Sequence, residues 1–388
     1  MLFAETTGSP TQRADSIEEE TFKDLTMAPR LIAVVGGTGA QGIPIVRDLV
    51  QSGEYVVRAL TRDSSNTRFQ ELKSYGPVEP VIGTFASEDD LRATFRGAWG
   101  AFVNIDGFNS GEKTEMFWAM RSYELALEEG VQRFVYGNLD YGYKKSGYRP
   151  EFRCGHYDGK GRIAEWILSQ NQTNSDRMKA TIFTSGPYME MAFYSWAAMS
   201  PVIVDGVVTW RLPLDNGAVP HYALEDGGHY VKWIFDNPER ANGIDLEVAI
   251  DHIDYESVAA AFQKVTGHPG RFVNCTLDQY FVGYGPRADG PAGYNADPND
   301  PATLTFRENF SGFWRMWQNS AGNAGVIKRD YKLLDEIHPN RIRSVEEWFE
   351  REEKKGQEQG LGSLWDRIQP NKQRPILKLA EDKGKGRL

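Results

Sequence analysis

The sequence has few of the residues that build disulfide frameworks or metal centres. Two cysteines, Cys154 and Cys275, occur in 388 residues, which is typical of a protein in a reducing compartment. The six histidines show no spacing that would ligate a metal, so we predict no metal site. These absences lead us to expect a cytoplasmic protein.

Long apolar runs and an excess of basic charge are missing as well. No stretch approaches the roughly 18 apolar residues of a membrane span, and the N-terminus has no basic-then-apolar signal pattern. The formal net charge is −10, which argues against direct nucleic-acid binding and against an anionic membrane surface. We therefore expect no membrane and no nucleic acid among the partners.

A glycine-rich turn between a strand and a helix is the most informative segment. Residues 31–35 are apolar, as in a buried parallel strand, and residues 43–50 are apolar at helical spacing. Between them Gly36 permits a tight turn, Gly39 lets backbone amides approach a pyrophosphate, and Gly42 lets the helix pack closely. The helix N-terminus favours an anion, so this order predicts a dinucleotide site rather than an empty turn. Further contacts are expected from Thr38, Ala40 and Gln41.

The end of the second strand indicates which dinucleotide binds. An acidic residue there favours the ribose diol of NAD, whereas an arginine favours the 2′-phosphate of NADP. Arg62 follows the strand directly, and its planar guanidinium suits phosphate. Arg68 can add a second cation, while Asp63 is the argument for NAD. The sequence favours NADP(H), and the alternative for Arg62 is an ordinary surface ion pair.

The chain alternates strands and helices in its first half. Polar, acidic residues 1–28 predict a flexible N-terminal arm. Residues 29–186 predict an α/β domain, a Rossmann doubly wound parallel sheet. A smaller α+β lobe for substrate is expected over 187–355, interleaved with the sheet, and a C-terminal tail over 356–388. The expected strands are 31–35, 55–60, 78–82, 101–105, 133–137 and 180–184. The expected helices are 42–52, 66–75, 88–97, 113–129, 157–169, 303–320 and one that follows a capping box at Ser344 and Glu347.

Several motifs occur in the order found in one known family. They are Gly36–Gly42, Thr61-Arg62, Val135–Asp140, His156–Gly161, Gly186–Glu190, Val219-Pro220, Asp226-Gly227 and Ser344–Phe349. With them the chain resembles the NmrA-like proteins, an atypical branch of the short-chain dehydrogenase superfamily near the isoflavone-reductase-like enzymes. The resemblance runs from about 31 to 353. It implies an NADP-binding Rossmann lobe and a smaller lobe that closes a cleft over the nicotinamide.

The resemblance implies several functions. The family contains reductases and also cofactor-sensing regulators that have lost catalysis. Many members belong to fungal secondary metabolism, and a few are thought to couple imine redox chemistry to ring closure in alkaloid pathways. We interpret the chain as an NADPH-dependent oxidoreductase of a hydrophobic natural-product intermediate with a C=N or C=C bond, or as a redox-assisted cyclase. The alternative is a non-catalytic NADP-sensing transcriptional regulator, and a homodimer or a regulatory protein partner is compatible with both.

The sequence departs from the superfamily at two places. The usual catalytic tyrosine and lysine are four residues apart, but here Tyr157 precedes Lys160 by three and the next residue is Gly161. The standard dyad is therefore missing. The third strand ends without the usual Gly-Asp pair, so the adenine would be held by Thr84, a backbone amide and stacking on Phe85.

Lys160 is the strongest candidate for a catalytic group. It lies four residues from His156, so the two share a helix face. In the relatives the lysine of this motif reaches the nicotinamide ribose and the substrate, which implies that Lys160 anchors the cofactor and stabilises negative charge. The alternative is a surface lysine. We expect His156 to cap or orient the start of the helix rather than to contact substrate. The candidate proton donors are Tyr141, Tyr143, Tyr148 and Tyr157, and the alternative for each is a packing role.

Other candidates follow the carboxyl ends of the strands, where ligands of such sheets bind. Asn104 and Asn138 end the fourth and fifth strands, and Pro187 follows the sixth, where it is expected to face the nicotinamide carboxamide. Residues 188–199 are rich in methionine and aromatics, which favours a hydrophobic pocket and a core equally. The expected substrate contacts are Tyr141, Tyr188, Met189 and Phe193.

Overall fold

The computed structural model describes residues 28–194, 197–293, 296–372 and 375–378. All but the last residue of the predicted N-terminal arm lies outside these ranges. None of the described helices is both long enough and apolar enough to cross a membrane.

Twelve strands form three sheets within the described residues. The strands are β1 (Arg30–Val35), β2 (Tyr55–Thr61), β3 (Val78–Ile82), β4 (Gly100–Val103), β5 (Arg133–Leu139), β6 (Lys179–Ser185), β7 (Val202–Val204), β8 (Val207–Leu212), β9 (Val219–His221), β10 (Asp245–Val248), β11 (Asp251–Ile253) and β12 (Gly270–Asn274). The central sheet has seven strands in the order β10-β6-β5-β4-β1-β2-β3, and every neighbouring pair is parallel. The predicted doubly wound sheet is confirmed.

Helices cover both faces of the central sheet and build much of the second lobe. They are α1 (Gly42–Gln51), α2 (Thr67–Tyr75), α3 (Glu88–Phe95), α4 (Gly107–Ser110), α5 (Glu112–Glu128), α6 (Gly142–Lys145), α7 (Gly155–Asn174), α8 (Gly227–Asp236), α9 (Pro238–Ala241), α10 (Tyr255–Thr266), α11 (Leu277–Val282), α12 (Phe306–Gln318), α13 (Tyr331–Ile337), α14 (Val345–Glu358) and α15 (Leu364–Arg367). Ser344 caps α14 by accepting from the Glu347 amide at 3.1 Å. The Glu347 carboxylate accepts from Arg343 N instead of closing the predicted capping box on Ser344.

The second lobe is built around a core of large aromatic side chains. Its two small sheets, β12-β8-β7 and β11-β9, pack with α10, α12 and α14 around fully buried tryptophans. These are Trp210, Trp314, Trp317 and Trp348. Strand β10 comes from the second half of the chain but joins the edge of the central sheet beside β6. It thereby ties the second lobe to the sheet, and a cavity lies between the carboxyl ends of the parallel strands and the aromatic core.

Candidate functional site

The glycine turn after β1 is constrained by the fold at two of its three motif positions. Gly36 has φ +88°, and a Cβ there would lie 2.3 Å from the carbonyl oxygen of Asn104. A Cβ on Gly42 would lie 2.3 Å from Gly36 O and 2.7 Å from the Cα of Gly37. Gly39 differs, because its Cβ would meet only Gly36 O, at 3.1 Å, and the residue lines the cavity. The space beside Gly39 is therefore left open towards a ligand.

A cavity of about 1390 Å³ runs along the carboxyl ends of the strands from this turn. It exceeds the roughly 300–1,000 Å³ of pockets for drug-sized ligands, so it has room for a dinucleotide and a second molecule. Of the residues predicted to bind cofactor, Gly42 alone does not line it. The remaining predicted residues all line the cavity, and they are Gly36, Thr38, Gly39, Ala40, Gln41, Arg62, Thr84, Phe85, Asn104, Asn138, Lys160 and Pro187.

The ends of β2 and β3 form one end of the cavity. Arg62 is exposed and lines the cavity together with Asp63 and Arg68. One carboxylate oxygen of Asp63 accepts hydrogen bonds from the Ser65 amide at 2.8 Å and from the Ser65 hydroxyl at 2.6 Å. One oxygen of the Asp63 carboxylate is therefore already engaged by hydrogen bonds within its own turn.

Lys160 lies at the centre of a buried polar network. Its Nζ donates to Asn104 Oδ1 at 3.0 Å, to the carbonyl oxygen of Ile105 at 2.9 Å and to that of Gly137 at 3.2 Å. It also lies 2.8 Å from a carboxylate oxygen of Glu115. The ammonium thus joins α7 to the ends of β4 and β5. It is not the solvated surface lysine considered as the alternative.

Glu115 is fully buried beneath this ammonium. Burial raises the pKa of the Glu115 carboxyl to about 7, although Lys160 acts in the opposite direction. Gly107 makes room for the carboxylate, since a Cβ at that position would lie 1.6 Å from one of its oxygens. The pair is thus an ion pair held away from water, where the loss of one partner is costly.

Two amide side chains extend the polar wall. Asn104 Nδ2 donates to Gln41 Oε1 at 2.8 Å, and Gln41 Nε2 donates to Ser185 Oγ at 3.1 Å. Asn138 Nδ2 donates to Thr184 Oγ1 at 2.8 Å. The Oδ1 of Asn138 is buried and has no hydrogen-bond partner among the described residues. Asn138 itself lines the cavity, and a small rotation of its side chain would offer this acceptor to a bound molecule.

His156 is a neutral side chain of the cavity wall and does not cap α7. The Asn309 amide group lies 3.0 Å from its Nδ1, and burial lowers the pKa of His156 to about 4. The N-cap residue is Cys154, which makes no side-chain capping bond, and its backbone N–H donates to the Asp158 carboxylate at 2.9 Å. Of the two roles considered for His156, helix capping is thus wrong.

Aromatic side chains form the remaining walls of the cavity. Tyr157 is buried with its ring 5.8 Å from that of Phe313 and 5.9 Å from that of Trp317. Burial raises the pKa of the Tyr157 hydroxyl well above its usual range. The other aromatic lining residues of this end are Phe108, Tyr188, Tyr284, Phe306 and Phe310, whereas Phe85 follows β3 at the opposite end. This end of the cavity suits a bulky, apolar molecule.

Three of the four predicted substrate contacts do not line the cavity. Tyr188 does, but Met189 and Phe193 are fully buried in the core of the second lobe. Met189 N donates to the carbonyl oxygen of Tyr222 at 2.8 Å, and the 3₁₀ turn that follows directs Met191 to the cavity. Elsewhere, Tyr141 fills the space beside Gly161, where a Cβ would lie 2.4 Å from its ring. We withdraw these three residues as substrate contacts.

A family model matches the part of the chain that builds the cofactor end of this cavity. Residues 29–285 match the NmrA-like family. The chain belongs to the NmrA-like family. Curated NmrA-like relatives include an NmrA-like family domain-containing oxidoreductase of Aspergillus hancockii, which is 28% identical over 63% of this chain and 74% of its own length. One of Aspergillus versicolor is 41% identical over 63% of this chain and 70% of its own length.

Solved NmrA structures share the fold of this NmrA-like chain. The negative transcriptional regulator NmrA in complex with NADP superposes with a TM-score of 0.65 at 18% identity, over 87% of this chain and 99% of that chain. Its complex with NAD gives a TM-score of 0.66 at the same identity and coverage. At this identity the likeness establishes the architecture alone.

The NmrA-like match ends before one wall of the cavity begins. Phe306, Phe310 and Phe313 all belong to α12, beyond residue 285, and sequence reasoning did not connect them with the site. Their spacing of four and three residues predicts one helix face, but it does not say what that face meets. Only the packing of α12 places this face on the cavity.

Proposed function

We propose that this NmrA-like protein binds NADP(H) and transfers a hydride to a C=N or C=C bond of a hydrophobic small molecule, a natural-product intermediate. One observation carries the proposal: a single cavity is lined by the glycine turn, by the strand-end amides and by aromatic side chains. A cofactor and an apolar substrate can therefore meet in it. The oxidoreductase names of the curated relatives support the reaction class.

The residues present fit a dinucleotide. Gly39 leaves space at the N-terminus of α1, and the positive end of the helix dipole there attracts phosphate. Asn138 offers a buried acceptor without a described partner. Arg62 and Arg68 supply positive charge at the other end of the cavity, and Asp63 is engaged by Ser65. These contacts favour NADP(H) over NAD(H).

NADPH should bind at least tenfold more tightly than NADH, a difference of about 1.4 kcal/mol, because Arg62 can meet the 2′-phosphate. Arg62→Ala should remove most of this preference by weakening NADPH binding alone. Fluorescence titration with both dinucleotides measures the two constants. As a control, Arg96→Ala removes an exposed arginine outside the cavity, and it should change neither the NADPH nor the NADH binding constant. Equal affinities in the unaltered protein would contradict the NADP assignment.

Bound NADPH would supply the hydride at the end of the cavity that Lys160 and the aromatic side chains share. The ammonium of Lys160 is fixed by its protein contacts, so it presents a stationary positive charge to that end. The neutral imidazole of His156 has Nδ1 engaged by Asn309. Its Nε2 has no hydrogen bond with a described residue, so this nitrogen can form a hydrogen bond with a bound substrate. The aromatic walls exclude water from the reacting atoms.

The decisive experiment is turnover with NADPH and a panel of hydrophobic imines, iminium ions, enones and aldehydes. A reductase oxidises one NADPH for each product molecule. A redox-assisted cyclase forms a ring with no net NADPH consumption but still requires the bound dinucleotide. Mass spectrometry of metabolites that co-purify with the protein would select candidates for the panel. Failure of every candidate class, and of any co-purified metabolite, would contradict an enzymatic role.

Two observations favour a second function, a non-catalytic NADP-sensing regulator. The three protons of the Lys160 ammonium already face four acceptors of the protein, and the standard Tyr–Lys dyad is missing. For a sensor, NADPH would bind but no candidate substrate would be reduced. Changes at Lys160 would then alter only the binding of cofactor or of a protein partner.

A further inference from the structure

A segment near the C-terminus reaches the glycine turn. The structure describes residues 375–378 of this segment. Ile376 packs against the hydrophobic cluster that contains Ile45 and Val46 of α1. This apolar contact holds the segment beside the start of the dinucleotide cavity, although it lies far beyond the residues that match the family.

The side chain of Lys378 enters the turn itself. Its ammonium donates a hydrogen bond to the hydroxyl of Thr38, which lies between Gly36 and Gly39. Leu377 and Lys378 both line the same cavity as the turn. Lys378 thus adds a positive charge to a turn whose own side chains, over residues 36–42, are all uncharged.

We propose that Lys378 is a ligand of a phosphate of the bound dinucleotide and that the segment 375–378 completes the cofactor site. The inference rests on the proposed binding of NADP(H). A dinucleotide carries several negative charges into a protein whose own net charge is −10, so a local cation offsets unfavourable long-range repulsion. An ammonium on a flexible stem is a common phosphate ligand and acts as a point charge. Thr38 holds that charge beside the backbone amides that would receive the phosphate.

The test compares Lys378→Ala with Lys378→Arg and with a matched control, Lys372→Ala. Lys372 belongs to the same C-terminal region, but its Nζ is 3.9 Å from Asp366 and it does not line the cavity. Fluorescence titrations at several salt concentrations give the Kd for NADPH and for NADH. We expect Lys378→Ala to raise the Kd about tenfold and to reduce its salt dependence. Lys378→Arg should retain most of the affinity, and Lys372→Ala should leave it unchanged.

Comparing the loss of affinity for NADPH with that for NADH shows which phosphate Lys378 contacts. Equal losses for NADPH and NADH assign Lys378 to the pyrophosphate, and a loss for NADPH alone assigns it to the 2′-phosphate. A second measurement needs no substitution, because bound NADPH should slow tryptic cleavage after Lys378.

Unchanged affinity in Lys378→Ala would overturn the inference. Tighter binding would overturn it too, because the segment would then compete with the dinucleotide. If the unaltered protein binds neither dinucleotide, the proposed function fails as well. If it binds them without any contribution from Lys378, this inference alone fails. Unchanged melting temperatures would show that the variants remain folded.

Discussion

Lys160→Ala should slow product formation by roughly 10²-fold or more at saturating NADPH, which is the scale of a lost electrostatic or acid–base group. The ammonium is the positive charge that the network of Asn104, Ile105 and Gly137 holds in place. Initial rates of NADPH oxidation or of product formation measure the effect. Because NADPH affinity can fall in the same variant, the rates must be compared at saturation.

A structural loss must be separated from the chemical one, because Lys160→Ala leaves Glu115 buried without its partner. Breaking a buried ion pair in this way typically costs about 3–5 kcal/mol of stability. The double variant Lys160→Met/Glu115→Gln removes both charges at similar volume. It should recover melting temperature but not rate. Full turnover by Lys160→Ala would refute a catalytic role and direct the search to Tyr157 and His156.

Gly39→Val should abolish dinucleotide binding while the protein remains folded. A Cβ at this position meets only one backbone oxygen, at 3.1 Å, and the larger side chain would occupy the space that a pyrophosphate needs. Calorimetric titration with NADPH and the thermal unfolding curve together test both halves of the expectation.

Gly42→Ala is the contrasting variant in the same turn. Its single added methyl group would lie 2.3 Å from Gly36 O and 2.7 Å from the Cα of Gly37, so the helix cannot keep its position. We expect a large fall in melting temperature here and a small one in Gly39→Val. Retained NADPH binding in folded Gly39→Val would show that the turn does not hold phosphate.

The central sheet could be predicted from the sequence because each strand and helix carries its own local signal. The apolar residues 31–35 and 134–136 lie in β1 and β5, and the glycines at 36 and 42 flank the first turn. The edge strand β10 could not be predicted in this way. It is short, it follows a different lobe along the chain, and only its pairing with β6 identifies it as part of the sheet.

The cofactor end of the cavity was equally accessible to sequence reasoning, because strand ends of a parallel sheet must lie together. Asn104 and Asn138 line one cavity as that rule predicts, and Lys160, which the family resemblance indicated, lines it too. The apolar end was not accessible. Whether Met189 faces a pocket or a core depends on one 3₁₀ turn, and the partner of Lys160, Glu115, is 45 positions away on another helix.

The position of α12 bears on how such a protein acquires a new specificity. Phe306 and Phe310 face the cavity, while Trp314 and Trp317 of the same helix anchor it in the aromatic core. The part of the cavity wall that we propose contacts the substrate is therefore one helix with its own anchor in the core, separate in sequence from the glycine turn and the strand ends. Substitutions at Phe306 and Phe310 would change the shape of this apolar wall and leave the glycine turn and the strand ends, where we propose that the dinucleotide binds, unaltered.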